Sequence, residues 1–270
     1  MLQSRDLQLL LGLFESRVVS LGQLTKIYFD GHREAAKKRV QRLKATGYIR
    51  QRARVPGEFA IYSLTLQAFD VLKELGLLDK YPRIRPAAMK RRMQVSDLTL
   101  KHELMVIDCK AAAFVAQKQS QLSEFEFCTW PQLFQFKAFH PATREEVWIK
   151  PDACIRVHPT APDQRHQELR WFLELDCSTE SQAILVAKVA CYLDHYRRLK
   201  SVEIPGTPRR HSVIPFRVII ICRSNERKSN TLRQLNMSRP LAGRLVHVVT
   251  LDDMLSDPFL CLGLASSRLT

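Results

Sequence analysis

The stretch Trp148–Asp176 constrains the fold most, because it sets three carboxylates into segments that are otherwise apolar. It reads WIKPDACIRV, then a polar loop, then LRWFLELD. Alternation puts Val147, Ile149, Ala153, Ile155 and Val157 on one face of a first strand, and Lys150, Asp152 and Cys154 on the other. The loop His158–Glu168 carries the turn formers Pro159, Pro162 and Asp163 and leads into a second strand. There Leu169, Trp171, Leu173 and Leu175 share one face, and Phe172, Glu174 and Asp176 share the other. Asp152, Glu174 and Asp176 therefore fall near the ends of neighbouring core strands. Carboxylates are seldom buried without a partner, so three together predict a cation.

A chain of 270 residues with 46% hydrophobic content is long enough for one large globular domain or two ordinary ones. No apolar run approaches the ~20 residues of a membrane helix, and the longest, Val213–Cys222, is broken by Pro215 and Arg217. The N-terminus carries Asp6 and lacks a small-residue cleavage site, which predicts no signal peptide. Seven cysteines, with no CxxC pair, suit a reducing compartment and read as small buried hydrophobes. A cytoplasmic protein without a membrane partner is expected.

Charge is distributed unevenly. Residues 1–95 hold 19 Lys and Arg against 8 Asp and Glu, a net of +11 out of +15 for the whole chain. That excess predicts a polyanionic partner for the first third, and nucleic acid fits better than membrane because no bulky amphipathic helix accompanies it. Leu7, Leu10, Leu11 and Phe14 give a helical stripe over Arg5–Ser16. Ser20 caps a second helix, Leu21–Phe29; Asp30-Gly31 turns the chain; a third helix runs from Arg33 to Thr46 and stops at Gly47. Tyr48–Arg54 and Glu58–Leu64 read as strands of a hairpin around Val55-Pro56-Gly57, and Leu66–Leu75 as a closing helix. The pattern is a winged helix-turn-helix over residues 1–78. Its third helix would enter the major groove of double-stranded DNA, with the wing on the flanking backbone. The candidate DNA contacts are Arg33, Lys37, Lys38, Gln41, Arg42 and Lys44 on the helix, and Arg50, Arg52 and Arg54 on the wing. Residues 79–95, with two prolines in DKYPRIRPAAMKRR, read as a basic linker.

Residues 96–270 read as a second domain of order α-β-β-β-α-β-α-β, a mixed sheet flanked by helices. Its first helix, Ser96 to Lys118, has Leu100, Leu104, Ile107, Ala111 and Phe114 as its stripe, with Glu103 at the border. A first strand covers Phe125–Trp130, and Ser178 or Thr179 caps a long helix to Arg198. Lys188 falls inside that helix's apolar stripe of Leu185, Val189, Tyr192 and Tyr196, so it must either snorkel out or meet a carboxylate.

The element order, with Pro151-Asp152 on one strand and Glu174-Leu175-Asp176 on the next, 22 residues later, resembles the PD-(D/E)xK nuclease fold. The implied fold class is α/β (α+β), a winged helix-turn-helix followed by a restriction-endonuclease-like mixed-sheet domain. The resemblance implies that Glu103, Asp152 and Glu174 ligate Mg²⁺ or Mn²⁺. Asp176 stands where the family's lysine is expected, and Lys188 fits the branches that carry it on the following helix. Asp176 would then add a ligand or orient Lys188. More narrowly, HEL at His102–Leu104, PDA around Asp152, ELDCST at Glu174–Thr179 and KVACYLDHY resemble the replication-relaxation family of plasmid proteins and the MobC-type relaxases. That implies a bacterial nickase at a plasmid or transfer origin, working beside other mobilisation or replication proteins, with a homodimer among the expected forms. The alternative is a DNA-binding accessory protein or repressor whose nuclease-like domain has lost activity. No GxxxxGK[ST] or GxGxxG occurs, which argues against a nucleotide-binding loop.

Overall fold

The computed structural model describes residues 2–53, 57–119, 124–131, 135–158, 168–177, 181–201, 216–238, 242–243 and 245–264. The chain divides into two compact units, Met1–Val115 with Thr129–Gln132, and Ala116–Cys128 with Leu133–Thr270. The class is mixed α/β, as the sequence predicts.

The first unit runs α1 (Ser4–Ser16), β1 (Val19–Ser20), α2 (Leu21–Tyr28), α3 (Arg33–Ala45), β2 (Ile49–Gln51), β3 (Ile61–Leu64), α4 (Leu66–Glu74), α5 (Pro86–Arg92) and the larger part of α6 (Asp97–Gln119). The strands form one antiparallel sheet in the order β1-β3-β2. Helix α1 buries Leu9, Leu10, Leu13 and Phe14. Ser20 and Gln23 close a capping box at the start of α2. The turn into α3 needs left-handed backbone at Asp30 (φ 50) and Gly31 (φ 86), and Gly47 (φ 79) ends α3. Ala36, Val40 and Leu43 are the buried stripe of α3. Arg54, Val55 and Pro56, at the expected wing turn, lie outside the described residues.

Two expectations for this region change. Residues 79–95 are not a free linker: α5 packs there, with Met89 only 1% exposed and Met93 and Val95 also buried. The Arg92 guanidinium covers the Trp130 ring at 3.8 Å and donates to the Glu15 carbonyl at 2.8 Å. Helix α6, expected to head the second domain, clusters with the first unit as far as Val115. It buries Met105, Val106, Ile107, Cys109, Lys110, Ala111 and Ala113, a face wider than one stripe, while Leu98 is exposed. The buried Lys110 ammonium meets Glu15 Oε2 at 3.0 Å, and the Tyr81 hydroxyl donates to Glu15 Oε1 at 2.5 Å.

The second unit contains β4 (Glu124–Cys128), β5 (Phe136–Phe139), β6 (Glu146–Ile149), β7 (Ala153–His158), β8 (Leu169–Asp176), α7 (Gln182–Ser201), β9 (Phe216–Cys222), α8 (Asn225–Ser238), β10 (Val246–Thr250), α9 (Leu251–Ser256) and α10 (Pro258–Leu262). The main sheet has the order β10-β9-β8-β7-β4, parallel from β10 to β8 and antiparallel from β8 to β4. Strand β9, FRVIIIC, is buried on both faces, as a central parallel strand should be. Leu185, Val189 and Tyr192 of α7 join Phe172, Phe216 and Val218 in one core cluster.

The strand expected over residues 147–157 is two strands. Strand β6 pairs with β5 in a separate two-stranded sheet, whereas β7 enters the main sheet. Pro151 has no N–H to continue a ladder, so the chain leaves one sheet at Lys150 and joins the other at Ala153. The loop over residues 159–167 and the caps Ser178 and Thr179 lie outside the described residues.

Glu15 ties α1 to α6, and removing it strands a buried ammonium. Glu15→Leu should lower stability in urea unfolding by about 3 kcal/mol, and adding Lys110→Met should recover part of that loss. A double variant no better than Glu15→Leu alone would show that the pair does not couple.

Candidate functional site

In the second unit the site is built where β7 begins against the end of β8. The Asp152 N–H donates to the Leu173 carbonyl at 3.0 Å, and Asp152 Oδ2 accepts from the Leu175 N–H at 2.7 Å. The ladder ends at Ala153 with Leu173, which leaves Asp152 beside the segment Leu173–Leu175, and its charge acts on Glu174. Like charges this near repel. Glu174 is 3% exposed and meets two side chains from α7. Lys188 Nζ ion-pairs with Oε2, and the Tyr192 hydroxyl donates to Oε1. Residues 188 and 192 lie about one helical turn apart, so one face of α7 presents both groups.

The electrostatics follow from that packing. Burial first, and the Asp152 charge second, push the Glu174 carboxyl up to about 7, while Lys188 and Tyr192 pull it back. Burial, with the Glu174 charge beside it, drives the Tyr192 phenol well above its ordinary value, so Tyr192 stays a neutral donor. Of the two fates open to Lys188, the one realised is the carboxylate.

The other predicted site residues are held elsewhere. Asp176 accepts from Arg227 Nε at 2.5 Å and from Arg227 Nη2 at 3.2 Å, a bidentate pair between β8 and α8. Glu103 lies in the first unit, where Arg17 Nη1 donates to it at 2.5 Å. Among the described residues, no group of three or more His, Cys, Asp or Glu side chains is placed to hold a metal ion. The helical stripe assigns Tyr192 to the core alone, and nothing in the sequence singles out Arg227 or Arg17. Tyr192 does carry a signal, since it lies four residues after the misplaced lysine. Arg227 lies 51 residues from its partner, and no local pattern announces it.

In the first unit, Arg33, Lys37, Gln41 and Lys44 line a cavity of about 730 Å³ together with Lys26 of α2 and Phe59. Lys38 and Arg42 are exposed on α3 outside that lining. Arg50 and Arg52 are placed differently from the DNA contacts expected of them. Arg50 donates to Ser63 Oγ at 2.9 Å and to the Met93 carbonyl at 2.6 Å, and Arg52 donates to the Val95 carbonyl and to Asp97. Both guanidinium groups thereby hold the segment between α5 and α6. Arg39 is likewise taken, by the buried Asp6. Arg54 lies outside the described residues.

The family model described as replication-relaxation matches residues 10–207. No curated protein matches the chain. One solved structure similar to it is that of the restriction endonuclease FokI, at 11% identity and a TM-score of 0.28, over 96% of this chain and 44% of that one. The chain thus spans less than half of that protein's length. Among the described residues, no helix is long and apolar enough to cross a membrane.

A Glu174 value near 7 against an ordinary 4.5 means that the folded chain keeps a proton the unfolded chain has released. The associated stability is complete below pH 4.5 and is lost as pH rises through about 7. Glu174→Gln cannot titrate. Between about pH 5 and pH 8, wild type should therefore lose stability relative to Glu174→Gln, by at most roughly 3 kcal/mol. Thermal midpoints of the two proteins that run parallel over this range would discard the assignment.

Proposed function

The chain belongs to the replication-relaxation family, and from that premise we propose that it is a DNA-processing protein that binds duplex DNA and nicks it with a divalent metal. The observation carrying this reading is the arrangement at the end of β8, where Asp152 is held by the Leu175 N–H with its charge acting on Glu174, and Lys188 closes on Glu174 from α7.

The donor set supports Mg²⁺ or Mn²⁺ in particular. Burial, and after it the Asp152 charge, lifts the Glu174 carboxyl to about 7, and a bound cation would offset both. Mg²⁺ is usually held by one or two carboxylates, with water and phosphate oxygens completing its shell, so a cluster of three protein ligands is not required. Asp152 and Glu174 would hold the ion, and Glu103 is left out because Arg17 already answers its charge. Bound there, the metal would lower the pKa of its water and neutralise charge building on the phosphate.

The protein's own groups do the rest. The Leu175 N–H fixes the Asp152 carboxylate, and the Tyr192 hydroxyl fixes that of Glu174. Lys188 favours the ionised form of Glu174 and brings a cation to where the scissile phosphate and the attacking water would meet. Asp176 with Arg227 braces the end of β8 against α8. The winged helix-turn-helix reading of the first unit supplies recognition, narrowed to Arg33, Lys37, Lys38, Gln41, Arg42 and Lys44 of α3. A second reading, an inactive accessory protein or repressor, is favoured by one fact: Lys188 and Tyr192 already occupy both oxygens of Glu174.

Supercoiled plasmid bearing the cognate site separates the two. The nickase reading expects relaxation with Mn²⁺ or Mg²⁺, and a loss of at least a hundred-fold in Asp152→Ala, Glu174→Ala and Lys188→Met. Wild type that cleaves under neither metal, or variants that keep full activity, would leave the accessory reading standing. Recognition has its own test. Replacing Lys37, Lys38 and Arg42 by Ala should weaken duplex binding and flatten its salt dependence by about 0.9 log–log slope for each phosphate that is no longer neutralised. Unchanged affinity and slope would place recognition elsewhere.

A further inference from the structure

The outward face of the β5–β6 hairpin is the feature of the second unit that the proposed function does not use. Cross-strand register pairs Lys137 with Trp148 and Phe139 with Glu146, so these four side chains share one face while Phe136, Ala138 and Ile149 turn inward. On that face Trp148 is 54% exposed and Phe139 is 49% exposed. They are diagonal neighbours, which on a sheet sit roughly 7–8 Å apart. Each ring has a cation over it. Lys137 Nζ lies 5.5 Å from the centroid of Trp148, and the Arg198 guanidinium of α7 lies 4.8 Å from that of Phe139. Glu146 pairs with Lys137 and Asp194 with Arg198, both at 2.5 Å.

We infer that this face binds single-stranded DNA, with unpaired bases stacked on Trp148 and Phe139 and their phosphates drawn to Lys137 and Arg198. Exposed aromatic rings with cations at hand are what a single strand requires, because every base offers a π-face and every linkage a charge. Duplex DNA keeps its base faces inside the helix and cannot use the rings in this way. The cations must leave Glu146 and Asp194, and the ring faces they cover, to reach phosphate, and the phosphate contacts make binding weaken as salt rises. Placement adds a reason. Trp148 lies four residues before Asp152, within about 14 Å of extended chain. A strand opened from its complement and stacked here would be held within reach of the carboxylate pair. This rests on the proposed DNA-processing role and specifies its substrate as a locally unpaired strand.

The test uses the full chain in EDTA, an oligo(dT) strand of about sixteen nucleotides, and a duplex of the same length. Trp171 is buried, and Trp148 is the tryptophan most open to solvent among the described residues. Oligo(dT) should therefore quench tryptophan emission, and Trp148→Phe should keep the affinity while losing most of the quench. Trp148→Ala and Phe139→Ala should each weaken oligo(dT) binding on the order of ten-fold and leave duplex binding unchanged. The α3 variant of Lys37, Lys38 and Arg42 should do the reverse. Oligo(dT) affinity that survives both Ala variants overturns the platform alone. An emission change that follows protein concentration without DNA assigns the face to a contact between copies and also overturns it. A protein that binds neither DNA overturns this inference and the proposed function together.

Discussion

Burying the carboxylate of Glu174 is the constraint on which the second unit is organised. A charge removed from water costs several kcal/mol unless other groups answer it. The end of β8 cannot supply those groups, since its neighbours in the strand are leucine. They come from α7, and both arrive on one face. A slip of one residue in α7 would swing Lys188 and Tyr192 by about 100° and leave Glu174 unanswered. The ion pair and the hydrogen bond thus fix the register of the helix on the sheet, while Leu185 and Val189 supply the area that holds it there.

The first unit solves a related problem with opposite sign. Lys110 is the buried cation, and Glu15 answers it while also accepting from Tyr81. Through Glu15, helices α1 and α6 and the segment before α5 are bound into one body. The same economy limits what the basic excess can do. Arg39, Arg50 and Arg52 serve the fold through Asp6, the Met93 carbonyl and Asp97 respectively. On the proposed DNA-binding reading, α3 carries the exposed cations Arg33, Lys37, Lys38, Arg42 and Lys44, and a net charge of +11 over residues 1–95 overstates what that helix offers.

Elements with a local cause are legible in the sequence. Glycine and capping signals mark the ends of α2, α3 and α4, and the apolar run of β9 marks a central strand. The break at Pro151 has a local signal too, but alternation on either side of it conceals the change of sheet. Hairpin β5–β6 is hidden for that reason, and with it the face that carries Trp148. At the site, the sequence pattern marks Lys188 as misplaced and leaves it either to snorkel out or to meet a carboxylate, without choosing between them. The partners of Glu103 and Asp176 are beyond its reach, because Arg17 and Arg227 lie 86 and 51 residues away and look like any surface arginine. Residues 79–95 mislead because prolines and charge suggest a linker, while Met89, Met93 and Val95 are enough to dock it.

On the nickase reading, Asp176 and Lys188 are two halves of one exchange. A lysine at position 176 would share a face with Glu174 and bring its cation from the sheet itself. With aspartate there, the strand end carries one more negative charge, and Arg227 from α8 compensates it. The cation beside Glu174 then has to come from α7, and Lys188 supplies it. That exchange moves the control of the cation from a strand, whose position is fixed by ladder hydrogen bonds, to a helix, whose position is fixed by packing. On the nickase reading, the setting of Lys188 therefore depends on how Leu185 and Val189 fill the core, and a cavity made under α7 would reach the chemistry without touching a charged residue.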